Sequence, residues 1–241
     1  MHCFAGCKSE DILAAIGLTF SDLFGQPREQ SYIEKLEKRR GQRIAAIYKY
    51  TDENGNYLYE KIRFQNKDML MGVYAQETES FLYGLSGNHK TLFHLPQLCK
   101  AVSAGKKIFY VEGEKDVLTL ESLGLDATTA GSANDWNSSY ASYFKNADVV
   151  ILPDYDEPGQ ALAARVSTDL EGLAKSVKII NTSTIPKGDV SDYIQEGHTK
   201  EDLLRLIKNA ESKNQKNNKS SIDDSLELQP WKTPKKKNWS G

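Results

Sequence analysis

From Ile108 to Ala210 short apolar or β-prone runs alternate with amphipathic stretches, and this alternation limits the fold more than any other feature of the chain. The runs are Ile108–Val111, Ala127–Ala130, Val149–Leu152 and Val177–Ile180. Helical patterns follow at 114–123, near Ser138–Phe144, at Gly159–Leu173, near Val190–Gln195 and at Glu201–Ala210. Strand–helix alternation at this spacing predicts a parallel sheet with helices on its faces. Val149-Val150-Ile151-Leu152 is apolar throughout, as suits a strand covered on both sides. Pro153 and Pro158 are expected to end regular structure around Asp154 and Asp156, which then sit on a loop. Ligands of open α/β sheets gather where strands end at their carboxyl edge. Two carboxylates ~4 Å apart repel by roughly 4 kcal/mol at an effective dielectric near 20. Such a loop calls for a divalent cation, a shared proton or a basic partner.

Two further acidic clusters occupy corresponding points. In Val111-Glu112-Gly113-Glu114-Lys115-Asp116, Glu112 ends a strand, Gly113 permits a tight turn, and Asp116 follows one helical turn later. In Lys187-Gly188-Asp189-Val190-Ser191-Asp192 the acids again lie between a strand and a helix. Asp189 is equally placed to cap that helix, and Asp192 to complement its dipole. Three clusters after strands of one parallel sheet converge on one edge. Carboxylates without cysteine or histidine select hard cations, and Mg²⁺ binds through one or two of them plus waters and substrate phosphates. The chain has no G-x-x-x-x-G-K-[ST], which excludes a P-loop ATPase, and no G-x-G-x-x-G after a strand, which disfavours a dinucleotide-binding fold.

Upstream the character changes. Arg28–Lys67 holds ten Lys/Arg against six Asp/Glu, whereas Ile108–Glu196 holds six against fifteen. A basic module beside an acidic one fits a polyanion held by the first and metal ions held by the second. Residues 26–41 read as a charged helix or a linker. Arg43–Tyr50 and Tyr57–Phe64 are rich in β formers and flank Asp52-Glu53-Asn54-Gly55, a hairpin signal. Lys49, Lys61 and Arg63 are expected on one face of it among Tyr48, Tyr57 and Tyr59, a mixture that tracks phosphates and stacks bases. The alternative is a half-exposed sheet whose tyrosines belong to the core. Short strands at Met69–Ala75 and Phe81–Gly84 follow, then a helix from Leu95 to Val102 with Pro96 near its start.

At the N-terminus Cys3 and Cys7 beside His2 form half of a zinc site, and a structural zinc needs four ligands. The expectation is the second half of a zinc ribbon, so Zn²⁺ enters only if the missing half is supplied. Three cysteines make no disulfide framework, and no secretory leader or apolar run of about 20 residues is present, so a cytoplasmic protein with no membrane partner is expected. From Glu211 onward the chain is rich in Lys, Asn, Ser and Gln, the composition of a disordered tail.

Glu112-Gly113-Glu114-Lys115-Asp116, the apolar strand ending in Asp154-x-Asp156, and Lys187-Gly188-Asp189-x-x-Asp192 resemble the three signatures of the Toprim domain shared by primases, topoisomerases and some nucleases. The hairpin 43–64, Leu92-Phe93-His94-Leu95-Pro96 and Cys3–Phe24 resemble bacterial-type primases of phages and mobile elements. The resemblance implies an α/β fold, a Toprim-like parallel sheet flanked by helices and preceded by a small basic α+β subdomain. It divides the chain into a ribbon-like segment and helix (1–25), the basic subdomain (26–105), the Toprim domain (106–210) and the tail (211–241). It assigns catalysis to Glu112, Asp154 and Asp156, and Mg²⁺ or Mn²⁺ to these with Asp116, Asp189 and Asp192. Lys115 and Lys187 would contact phosphates, while Lys49, Lys61 and Arg63 guide template or nucleotide. The implied reaction is synthesis of RNA primers from NTPs on a single-stranded DNA template, with a replicative helicase on a separate chain as partner. A Toprim nuclease and a non-catalytic nucleic-acid-binding replication protein are the alternatives.

Overall fold

The structure, a computed structural model, describes residues 31–210. Cys3, Cys7, the ribbon-like segment and the polar tail lie outside the described residues. The described chain forms two compact units: residues 31–52 with 56–89, and residues 53–55 with 90–210.

The first unit is an antiparallel meander under one helix. Helix α1, Tyr32–Arg40, begins at a capping box in which Ser31 and Glu34 exchange side chain–backbone hydrogen bonds. It ends at Gly41 in the left-handed conformation, with Lys38, Arg39 and Arg40 in its last turn. The charged stretch is thus a helix of its own. Strands β1 (Ile44–Thr51), β2 (Tyr57–Phe64), β3 (Met69–Ala75) and β4 (Ser80–Tyr83) follow in sheet order β1-β2-β3-β4. The β1–β2 hairpin is where the turn signal predicts it, and Asn56 donates its N–H to Asp52 Oδ1 at 2.8 Å. Leu36 of α1 packs on Ile62, Phe64 and Leu70, the apolar face of the sheet.

The second unit is the α/β body the alternation predicts. Its strands β5 (Lys107–Val111), β6 (Asp126–Thr128), β7 (Asp148–Leu152) and β8 (Ser176–Ile179) are all parallel, in the order β6-β5-β7-β8. The helices are α2 (Leu95–Ser103), α3 (Glu114–Ser122), α4 (Glu157–Leu170), α5 (Val190–Gln195) and α6 (200–210), with a 3₁₀ turn at Ser138–Phe144. Helix α2, which precedes the first parallel strand, packs through Leu95, Leu98 and Ala101 into the same core as Ile108, Tyr110, Val149 and Ile151. Burying such side chains stabilises by about 1.5–3 kcal/mol each. Pro158 departs from expectation. It lies in the first turn of α4, where a missing N–H costs nothing, so the helix begins at Glu157 rather than after the proline. Among the described residues no helix is long and apolar enough to cross a membrane.

Candidate metal centre

The strand order fixes the site. The chain leaves β5 for β6 on one side, then returns past it to β7 on the other, so the crevice between β5 and β7 is the topological switch point. Val111 pairs with Leu152 at the end of both strands. Glu112 and Pro153–Asp154 therefore emerge side by side at the carboxyl edge.

Asp156 caps α4: its Oδ1 accepts the N–H of Gly159 at 2.9 Å. Gly159 is required for contact rather than for backbone freedom. A Cβ there would stand 2.6 Å from the Asp154 carbonyl oxygen and 3.0 Å from its nitrogen. Gln160 Nε2 donates to the same carbonyl at 3.2 Å and to Asn181 Oδ1 at 2.9 Å. The third cluster is tied to this loop by the backbone. Tyr155 donates its N–H to the carbonyl of Gly188, and Lys187 donates to the carbonyl of Tyr155, each at 3.0 Å. Gly188 is equally confined, because a Cβ would meet Ser183 Oγ at 2.2 Å. Lys187 itself is exposed and takes a left-handed conformation, φ 65°, at the turn.

The acids divide into engaged and unengaged groups. Asp189 and Asp192 form a capping box at the start of α5: Asp189 Oδ1 accepts the N–H of Asp192 at 2.6 Å, and Asp192 Oδ2 that of Asp189 at 3.3 Å. Lys115 Nζ lies 3.6 Å from Asp189 and 3.9 Å from Asp192. Asp116 is buried and accepts a hydrogen bond from Ser191 Oγ at 2.5 Å. Burial, the Asp189 charge and further contacts leave its carboxyl pushed up to about 6.

Asp154 and Glu112 have fewer partners. Burial pushes Asp154 up to about 8, and the charges that act on it most are all carboxylates: Glu112, Asp116, Asp189 and Asp156. Glu112 is raised by burial and by Asp156 and Asp116, against a single hydrogen bond from the Ala133 backbone. Its Oε2 is buried without a partner. Acidic side chains from three strand–helix junctions thus all raise Asp154. Among the described residues no three Asp, Glu, His or Cys side chains are grouped so as to chelate one ion by themselves. The donor set is all oxygen, and Mg²⁺ needs only one or two carboxylates beside its waters and phosphates. Asp154 and Glu112 fit that requirement.

Ser191 and the loop 129–136 carry no signal in the sequence. Ser191, fully buried, holds Asp116 and contacts Thr119 Oγ1 at 2.9 Å. Thr129 Oγ1 donates to the Glu112 carbonyl at 2.6 Å, and Arg165 of α4 donates to the carbonyl of Ala133. These bonds hold the backbone of Glu112 and of the loop whose Ala133 contacts it.

The three basic residues of the hairpin do not all share a face, which corrects the expectation. The β1–β2 register sets Lys49 opposite Glu60 and Tyr48 opposite Lys61, so Lys49 lies on the face away from Lys61 and Arg63. Lys61 is buried, at 8% exposure, and Tyr48, Tyr50 and Tyr59 on its face are core residues. Tyr48 and Tyr59 therefore follow the alternative reading, whereas Tyr57 is exposed.

No family model matches the chain, and no curated protein shows a significant match. Solved structures do match. The primase fragment of the bacteriophage T7 primase-helicase protein is 20% identical over 72% of this chain and 69% of its own, with a TM-score of 0.47. The Aquifex aeolicus primase, zinc binding and RNA polymerase domains, is 21% identical over 68% of this chain and 39% of its own, at 0.49. The DnaG catalytic core is 15% identical over 78% of this chain and 62% of its own, at 0.48. These neighbours are bacterial and phage primase fragments. The α/β assignment itself stands on the strand order and acidic junctions of this chain.

Proposed function

We propose that the chain is a DNA primase-like nucleotidyltransferase whose Toprim-type unit condenses ribonucleotides into primers on single-stranded DNA. The observation that carries this reading is that Glu112, Asp116, Asp154, Asp156 and Asp189 all follow strands of one parallel sheet, beside its switch point, and that the other four raise the Asp154 carboxyl. The resemblance of the same three junctions to the Toprim signatures names the chemistry. Mg²⁺ or Mn²⁺ held there by Asp154 with Glu112 would neutralise charge on the transferring phosphoryl group and orient the triphosphate.

The residues supply the rest. Glu112 Oε2, raised towards neutrality and unpartnered, is the acceptor for the proton of the attacking hydroxyl. Asp116, locked by Ser191, holds negative potential behind Asp154 without competing for its position. Lys115, which lies near Asp189 and Asp192, would receive a phosphate. Lys187, exposed on the adjoining turn, would serve the same role. NTPs, a single-stranded template and a helicase on another chain are the partners this reading requires.

The test is primer synthesis on single-stranded DNA with NTPs and Mg²⁺ or Mn²⁺. Labelled oligoribonucleotides that disappear in Asp154→Asn support the reading. Cleavage of nucleic acid without NTPs, or binding with neither activity, would replace it by the nuclease or the accessory role.

A further inference from the structure

The antiparallel unit holds a second acidic feature that the metal centre does not use. Glu60 is 1% exposed, and its Oε1 makes no hydrogen bond. The Tyr32 hydroxyl donates to its carboxylate and so accounts for the other oxygen. Glu60 lines a cavity of about 550 Å³ together with Lys49, Tyr57, Tyr74, Glu77 and Thr78. The Tyr74 ring is fixed on one side by Tyr32, stacked at a centroid distance of 4.2 Å. Tyr57 is held where its hydroxyl accepts the N–H of Tyr74 at 3.0 Å. Lys49, opposite Glu60 in the register, is exposed.

We propose that this cavity binds a nucleotide whose base carries its exocyclic amino group at purine C6 or pyrimidine C4, an adenine or cytosine nucleotide rather than guanine, whose C6 bears a carbonyl, with the amino group donating to Glu60 Oε1 and the phosphate at Lys49. A buried acceptor left unmade is costly, and a ligand N–H satisfies it. One open oxygen suits one donor. A cationic ligand is disfavoured, because Lys49 faces the same carboxylate. Tyrosine rings at the cavity wall match the flat apolar face of a base. Adenine N6 and cytosine N4 are donors, whereas hypoxanthine and uracil carry a carbonyl at the same position, which would meet the Glu60 oxygen lone pair to lone pair. Every residue involved belongs to the antiparallel unit, and none is among the acidic residues of the metal centre.

The experiment is calorimetric titration of the full chain at pH 8 in EDTA with AMP, IMP, CMP and UMP. Monophosphates without divalent cations leave the acidic centre silent. At least one amino-bearing nucleotide binds about tenfold or more tighter than its carbonyl counterpart, the scale expected when a buried polar group is otherwise unpaired. Glu60→Gln, whose amide can donate as well as accept, brings each pair within about threefold. Lys49→Ala weakens AMP and leaves adenosine unchanged. Equal binding of the carbonyl bases to the unsubstituted chain overturns the proposal. So does absence of AMP and CMP binding at concentrations of about 10 mM, above any specific affinity. Discrimination that survives in Glu60→Gln overturns the assignment to Glu60. The comparison on the unsubstituted chain decides the matter even if a variant fails to fold.

Discussion

The two sheets bury acidic groups in opposite ways. In the antiparallel unit one carboxylate, Glu60, is enclosed beside a tyrosine hydroxyl, with a lysine across the strand. In the parallel unit several carboxylates are delivered to one edge by three separate junctions and raise one another. The difference follows from topology. Side chains of a meander alternate across the sheet, so neighbouring residues of β2 separate to opposite faces. Parallel strands all end on the same edge, so residues after β5, β7 and β8 meet. A lone buried carboxylate seeks a donor, whereas a convergent set seeks a cation.

The largest expected effect breaks the convergent set at its centre. Asp154→Asn should reduce template-directed synthesis by about 10²-fold or more, the scale of losing a group that holds transition-state charge. Circular dichroism should show the fold retained, since the substitution removes repulsion. Activity within threefold of the unsubstituted chain would remove Asp154 from the site. Next in size is Gly159→Ala. The new Cβ meets Asp154 backbone atoms at 2.6 and 3.0 Å, and backbone cannot yield as a side chain can. Overpacking of this kind costs about 1–3 kcal/mol, read as a lowered midpoint in urea, with synthesis reduced because Asp154 is displaced. An unchanged midpoint would mean that the loop is not packed on α4 in this way.

Much of the parallel unit was legible because a run such as Val149-Val150-Ile151-Leu152 has one solution, a covered strand, and because acids after it must then lie at the edge. The hairpin was legible from Asp52-Glu53-Asn54-Gly55. What sequence could not give is contact between distant residues. Ser191 is 75 positions from Asp116, and the Ala133 N–H reaches Glu112 from a loop with no pattern of its own. The facing of Lys49 was lost for a related reason. Strand register shifts between Ile44 and Ala46 and again between Tyr50 and Thr51, so spacing along the chain did not determine which side chains share a side.

A smaller effect sharpens the electrostatic half of the comparison. With its carboxyl near 8 in the folded chain against an ordinary 3.8, Asp154 keeps a proton that the unfolded chain has lost. Metal-free stability should therefore be greatest below about pH 4 on this account and fall as pH rises through 8, by at most about 1.4 kcal/mol per unit from Asp154. Asp116, near 6, acts in the same direction over the lower part of that range. Denaturation in EDTA from pH 5 to 9 measures it. Added Mg²⁺ should restore stability most at the alkaline end, and Asp154→Asn should flatten the slope. A metal-free stability that rises from pH 6 to 8, with the same slope in the variant, would contradict the convergence.

The smallest effect separates the two basic residues that do share a face of β2. Arg63 is half-buried and Lys61 buried. If Arg63 contacts a phosphate backbone, Arg63→Ala should weaken single-stranded DNA binding a few-fold at low salt and reduce the salt slope by about one. Lys61→Ala should instead lower the melting temperature, because its stem fills space among Tyr48 and the strand neighbours it pairs with, and long cationic side chains stabilise through packing as well as charge. Affinity measured at several salt concentrations, beside the melting temperature of each variant, distinguishes the two. A Lys61 variant that loses DNA binding at full thermal stability would return that lysine to the polyanion surface, and an Arg63 variant with an unchanged salt slope would leave the Lys61–Arg63 face of the hairpin purely structural.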